Sequence, residues 1–216
     1  GCRKVSSGCL NCYVYRRDAE FGKDSSIIAR TSSFALPVKR NRKGIYKLQP
    51  DEGAVYTCMT SDFFVEEADE WRPETWKIIR ERGDLHFVII TKRIHRFQVG
   101  LPKDWGEGYD NVTICCTCEN QNMADYRLPI FLNLPIRHRT IIHEPMLEWI
   151  EIRRYLATGL IEQVTCGGES GPEARICDYA WILEIMQQCV EYAIPFWFKQ
   201  TGAKFKKGNR IYHIER

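Results

Sequence analysis

Six short runs of apolar, largely β-branched residues recur along the chain, at 54–59, 85–90, 112–116, 140–142, 163–166 and 195–198. Runs of this length bounded by polar residues predict buried strands. Between them lie stretches with helical spacing, at 73–83 with Gly83 at its end, 122–134, 149–159 and 177–193, and a shorter helix is expected at 13–22. The stretch 177–193 is the most regular: Trp181, Ile182, Ile185, Met186, Cys189 and Val190 form one stripe, expected to face a core. Strands alternating with helices imply βαβ units and a parallel sheet, either open and doubly wound or curled toward a barrel.

Each predicted strand ends in polar residues. Ser61 and Asp62 follow the first, Thr91, Lys92 and Arg93 the second, and Glu119 and Asn120 the third. Glu144 follows the fourth, Gly167, Gly168, Glu169 and Ser170 the fifth, and Lys199 and Gln200 the sixth. A parallel α/β protein builds its site at the carboxyl ends of its strands, so these six loops can converge on one pocket. Within them, the glycines of TCGGESG (165–171) allow a backbone to approach a ligand closely, and Glu169 can bind an amine or hydroxyl. The rest of a dinucleotide fingerprint is absent, so no nicotinamide site is read.

Composition narrows the class. A chain of 216 residues can bury one substantial core, so a single domain over 1–216 is expected, with a basic connection at about 30–53. No apolar run is long enough to span a bilayer and no stretch resembles a signal peptide, so a soluble cytoplasmic protein without membrane contact is the expectation. A net charge of +3 does not by itself imply nucleic acid. Two basic stretches, 38–43 and 204–210, are expected as solvated loops that a polyanion can meet. Ten cysteines in a chain with its own core do not suggest a disulfide scaffold. Cys58, Cys115, Cys116, Cys166, Cys177 and Cys189 sit in apolar segments and are expected as small buried hydrophobes.

Cys2, Cys9 and Cys12 differ. They lie among Gly, Ser, Asn and Lys in the first fifteen residues, where burial does not explain them. A structural zinc takes four ligands, usually two close pairs. Here only Cys9 and Cys12 make such a pair; Cys2 is a third candidate, and a fourth ligand has to come from a distant residue such as His143 or Cys118. An iron-sulfur cubane also binds thiolates, and three of them leave one of its four irons open to a ligand. Both readings stand on these residues.

The motifs Gly1-Cys2, Ser6-Ser7-Gly8-Cys9 and Asn11-Cys12-Tyr13 are followed by TSDFF at Thr60, TKR at Thr91, CEN at Cys118, EP at Glu144, GGESGPEAR at Gly167 and FKQTG at Phe198. In these blocks, across nearly its whole length, the chain resembles a phage-associated family of unknown function, named after phage gene products and related to radical S-adenosylmethionine enzymes. The resemblance implies a single-domain α/β fold, a partial parallel (β/α) barrel of the radical S-adenosylmethionine kind, with its cluster loop at 1–15. It also implies that residues carrying a first barrel strand precede Gly1. Cys2, Cys9 and Cys12 are then the ligands of a [4Fe-4S] cluster whose open iron takes S-adenosylmethionine, in a six-residue variant of the usual first spacing. Tyr13 is expected near the cofactor, Ser61 or Asp62 at its methionyl amine, Lys92 at its carboxylate, and Glu119 or Asn120 at the ribose. Gly167, Gly168 and Glu169 are expected beside the adenine or substrate, and Glu144 and Lys199 as catalytic contacts to the substrate.

The implied activity is generation of a 5′-deoxyadenosyl radical that acts on a small molecule, a modified nucleotide or a nucleic-acid base. A flavodoxin or ferredoxin is the implied electron donor. Two other readings stay open: a zinc-stabilised α/β binding protein, and a repair lyase resembling spore photoproduct lyase.

Overall fold

The computed structural model describes residues 1–214. Six strands form one parallel sheet: β1 (Val55–Thr57), β2 (Phe87–Thr91), β3 (Val112–Thr117), β4 (His138–His143), β5 (Gln163–Gly167) and, after the short β6 (Cys177–Asp178), β7 (Phe196–Gln200). Their spatial order, β1-β2-β3-β4-β5-β7, is their order in the sequence, and every pairing is parallel. Right-handed crossovers between sequential parallel strands place the connecting helices on one face, and a sheet covered on that face alone curls into a half-barrel. The helices are α1 (Tyr13–Glu20), α2 (Arg72–Glu81), α3 (Gln121–Leu132), α4 (Arg153–Leu156) and α5 (Tyr179–Glu191).

Burial follows position in the sheet. FVIIT, VTICCT and HRTIIH in β2, β3 and β4 are buried along almost their whole length, whereas the edge strands β1 and β7 alternate half-buried with exposed residues. The main core lies between sheet and helices and includes Phe87, Ile89, Ile114, Cys116, Ile141, Val164 and Cys166. Under α2 it becomes aromatic: Trp76 meets Phe63 at 5.0 Å and Trp105 at 4.9 Å between ring centroids. Such pairs add ~0.5–1.5 kcal/mol each beyond the area they bury. The opposite, concave face carries a small cluster of Val88, Cys115 and Ile142 with Ile90.

Three departures from the sequence pattern have identifiable causes. The helix expected at 149–159 shortens to α4, because side chains take up the backbone groups of the preceding segment: Gln188 bonds the Ile152 amide and the Ile150 carbonyl, and Gln121 bonds the Glu151 amide and carbonyl. In α5 the buried face is Ile182, Ile185, Gln188 and Cys189, while Met186 and Val190 are exposed. The basic stretch at 204–210 is not a loop. It forms β8 (Lys204–Lys207) and the start of β9 (Arg210–His213), an antiparallel hairpin whose turn holds Gly208 at φ +59°, and β8 pairs with β6 in a second, three-stranded sheet. Phe205 ties that sheet to the core, its ring 6.0 Å from Phe198 and 5.7 Å from Tyr179.

The stretch 38–43 is irregular but pinned. Arg40 and Arg82 stack on Tyr46 at 3.8 and 4.1 Å, and the buried Arg82 also donates to the carbonyls of Pro37 and Leu48. No helix among the described residues is long and apolar enough to cross a membrane.

His143, at the carboxyl end of β4, is fully buried, and its Nδ1–H donates to the Cys118 carbonyl at 2.6 Å. Burial lowers its pKa to about 4. The unfolded chain takes up this proton below its ordinary value of 6.5, while the folded chain refuses it until about 4. The stability tied to His143 is therefore complete above pH 6.5 and is lost as the pH falls through this window, at about 1.4 kcal/mol per pH unit. Urea unfolding between pH 7 and 5 should show this slope and should show it reduced in His143→Gln, with the smaller contributions of His86 and His95 remaining. An equal slope in the variant would contradict this assignment.

Candidate functional site

The carboxyl ends of the strands surround a pocket of about 270 Å³, and residues 2–15 form one wall of it. Cys2, Cys9 and Cys12 are all half-buried and line this pocket. Burial raises the pKa of the Cys2 thiol, and the nearby guanidinium of Arg93 pulls it the other way. The segment has little regular structure before α1, only a 3-10 turn at Ser7–Cys9. Its position therefore depends on contacts with the strand ends.

Side chains from three strand ends hold it, and Tyr15 adds a hydrogen bond from within the segment. Glu119, with no exposed surface, accepts from the Gly8 amide at 3.2 Å and from buried Arg127 at 2.8 Å. Burial alone would raise the Glu119 pKa, but the Arg127 charge holds it below the ordinary carboxylate value. A side chain at Gly8 would stand 2.9 Å from the Glu119 side chain, so only glycine allows this approach. Glu169 accepts from Asn11 Nδ2 at 3.1 Å and is gripped by Arg175, whose Nη2 lies 2.5 Å away. Arg93 donates to the Arg3 carbonyl at 2.6 Å, and the Tyr15 hydroxyl to the Cys2 carbonyl at 2.5 Å.

The expected site residues thus divide by what they touch. Asp62 lines the pocket, but its carboxylate already accepts from the Phe64 amide at 3.0 Å, from the Thr91 hydroxyl at 2.8 Å and from the Lys92 amide at 2.8 Å. It fastens the loop after β1 to the end of β2. Glu119 and Asn120, expected at the ribose, are not part of the pocket lining; Asn120 caps α3 through the Met123 amide and donates to the Ser7 hydroxyl. Gly167 also lies outside the lining, beneath Glu144, while Gly168 lines it. A Cβ on Gly168 would fall 2.1 Å from the Thr201 carbonyl oxygen, so close packing of two strand ends already requires this glycine. Glu144 pairs with Lys199 at 2.8 Å and accepts from Gln200 at 2.5 Å. Tyr13 lines the pocket with its hydroxyl on the Met59 carbonyl at 2.7 Å.

Some polar groups in the lining have no partner among the described residues. Lys92, half-buried, makes no ion pair among the described residues, although its charge helps keep Glu119 ionised. The buried hydroxyls of Ser61 and Thr117 have no hydrogen-bond partner among the described residues. Thr117 was not apparent from the sequence; its one signal is that it directly follows the strand predicted at 112–116.

The cysteines also divide. Five of the six read as core are buried, but Cys58 is exposed, lines the pocket and has a left-handed backbone at φ +54°. His143 and Cys118, the distant candidates for a fourth metal ligand, are fully buried and outside the lining. No group of three or more His, Cys, Asp or Glu side chains is arranged to hold a metal ion among the described residues.

A family described as "Protein of unknown function (DUF5131)" matches over residues 1–213. No curated protein and no solved structure matches the chain.

The buried pair gives a direct test of the loop's anchoring. Glu119→Ala leaves Arg127 charged and unpaired and should cost about 3–5 kcal/mol in urea unfolding. Replacing both, Glu119→Leu with Arg127→Met, should restore most of that stability yet leave Gly8 unheld, so alkylation of Cys9 should be faster than in the wild type. Unchanged alkylation in the double variant would show that Glu119 does not position the loop.

Proposed function

The chain belongs to the DUF5131 family, and we propose that it is a radical S-adenosylmethionine enzyme in which Cys2, Cys9 and Cys12 hold a [4Fe-4S] cluster. The observation that carries this reading is the placing of three half-buried thiols on one short segment. They open onto a pocket at the carboxyl ends of parallel strands, the place where such folds do their chemistry. The donor set suits the group, because three thiolates on a cubane leave one iron for a further ligand. When bound, the reduced cluster supplies the electron that cleaves the sulfonium C–S bond of S-adenosylmethionine, giving a 5′-deoxyadenosyl radical.

The protein's own residues bind and orient. Lys92, without an ion pair among the described residues, provides an ammonium for the carboxylate of the cofactor, and the hydroxyls of Ser61 and Thr117, unpartnered among those residues, supply hydrogen bonds beside it. Asp62 and Glu169, whose carboxylates are occupied by protein donors, set the walls. The Glu144–Lys199 pair sits at the rim, where Lys199 is half exposed, and orients the substrate. The electron comes from a small redox partner of the flavodoxin or ferredoxin type.

One observation favours a second reading. Cys58 brings a fourth thiol to the same pocket, and four thiols are the donor set of a structural zinc. The two readings differ in what Cys58 does.

Anaerobic reconstitution followed by iron and sulfide analysis separates them. Wild type should hold about four irons, and Cys2→Ala, Cys9→Ala and Cys12→Ala should each lose them, while Cys58→Ala and Cys177→Ala keep them. Tight stoichiometric zinc that requires Cys58 would overturn the cluster reading. In calorimetry with S-adenosylmethionine, Lys92→Gln should weaken binding about tenfold or more and Ser61→Ala about fivefold, both with iron retained. Unchanged affinity in both would remove the cofactor from these loops.

A further inference from the structure

A second cavity, of about 590 Å³, lies on the outer side of the GGESG loop, between α1 and the β8–β9 hairpin. Ser170 lines both this cavity and the cysteine pocket. Its size falls within the ~300–1,000 Å³ typical of small-molecule sites.

Its chemistry is cationic. Arg16 comes from α1, Lys204 from β8 and His213 from β9. Lys204 and His213 are cross-strand partners in the antiparallel ladder, so their side chains leave the same face. Neither Arg16 nor Lys204 makes an ion pair among the described residues. By contrast, Arg175 and Lys206 on the neighbouring strands and loop are neutralised by Glu169 and Asp178. Among the described residues Arg16 donates only to the Ser170 carbonyl, at 3.3 Å, and its guanidinium lies across Gly171, where a Cβ would stand 1.7 Å from Nη1. Gly171 has φ +98°, so this seat for the guanidinium needs glycine for both space and backbone conformation. Among the described residues Glu20 is the one carboxylate in the lining, and it is exposed at its edge.

We infer that this cavity binds the phosphate group of a ligand. A fork-shaped guanidinium and a point-charge ammonium, both lacking carboxylate partners among the described residues and facing one space beside Ser170, match a tetrahedral polyanion better than a neutral or cationic molecule. The anion site stands without the cluster. Its role as the anchor of a substrate whose reacting part reaches through Ser170 into the cysteine pocket rests on the cluster reading above. On that role the substrate is a phosphorylated molecule, held by its phosphate at a distance from the reacting atoms.

The test is an NMR titration of the full chain with sodium phosphate at constant ionic strength, with and without iron loading. Saturating shifts are expected at the Gly171 and Ala203 amides. Arg16→Gln and Lys204→Gln should each weaken the apparent affinity about tenfold, and Glu20→Gln should strengthen it severalfold by removing a like charge. Lys23→Gln, on the exposed turn after α1, should change nothing. Shifts that do not saturate, or that are the same in the Arg16 and Lys204 variants as in wild type, would overturn the site.

Thymidine monophosphate and an oligothymidylate then distinguish the sources of the phosphate. Equal affinity points to a monoester. Tighter binding of the oligomer, lost in Lys207→Gln and Arg210→Gln on the hairpin, points to a nucleic-acid backbone. Failure here leaves iron binding by Cys2, Cys9 and Cys12 untouched, and failure of iron binding leaves the phosphate titration untouched, so the two claims fail separately.

Discussion

The Glu119–Arg127 pair is a charged contact with almost no exposure to water, and the arrangement of the cysteine segment depends on it. A buried ion pair gains little net stability against a hydrophobic replacement, but losing one partner is severe. What this pair secures here is position. The Glu119 carboxylate, kept ionised by Arg127, has a second oxygen free to accept the Gly8 amide, and this fixes the turn that carries Cys9 at the end of β3. Glu169 does the same for Asn11 from the end of β5, and Arg93 for Arg3 from the loop after β2. A segment with little secondary structure of its own is thus held by three different strand ends.

This division of labour explains why the charges at the strand ends are not all available to a ligand. Asp62 and Glu169 in the pocket lining, and Glu119 outside it, have their oxygens occupied by protein donors and act as fasteners. Lys92, Ser61 and Thr117 have polar atoms without partners among the described residues, which makes them the groups a ligand would satisfy. The same contrast, between paired and unpaired cations, sets Arg16 and Lys204 apart from Arg175 and Lys206 on the far side of the GGESG loop. One loop therefore separates two cavities with different chemistry, thiols on one side and cations on the other.

Much of the fold was legible because the central strands are buried on both faces and so read as continuous apolar runs, FVII and VTICC among them. The second sheet was not legible. Only Phe205 of β8 is buried, and in the sequence the lysines around it look like a solvated loop. The site followed the same rule. Polar residues at strand ends were visible in the pattern, and the structure gathers most of them around one pocket. Which of them hold the protein together could not be read, because the partners of Glu119, Asp62 and Glu169 lie on other segments. Cys58 illustrates the limit: its apolar neighbours suggest burial, yet the chain turns at this residue and exposes it.

The central claim is that three thiols of one segment hold a cluster with an open iron at this pocket. Electron paramagnetic resonance of the reduced, reconstituted protein with and without S-adenosylmethionine tests it most directly. The account predicts a low-spin [4Fe-4S] signal whose g-values shift on adding S-adenosylmethionine, with both signal and shift absent when Cys2, Cys9 and Cys12 are replaced together by alanine. A reconstituted protein with no such signal, or with one that survives the triple replacement, would contradict it.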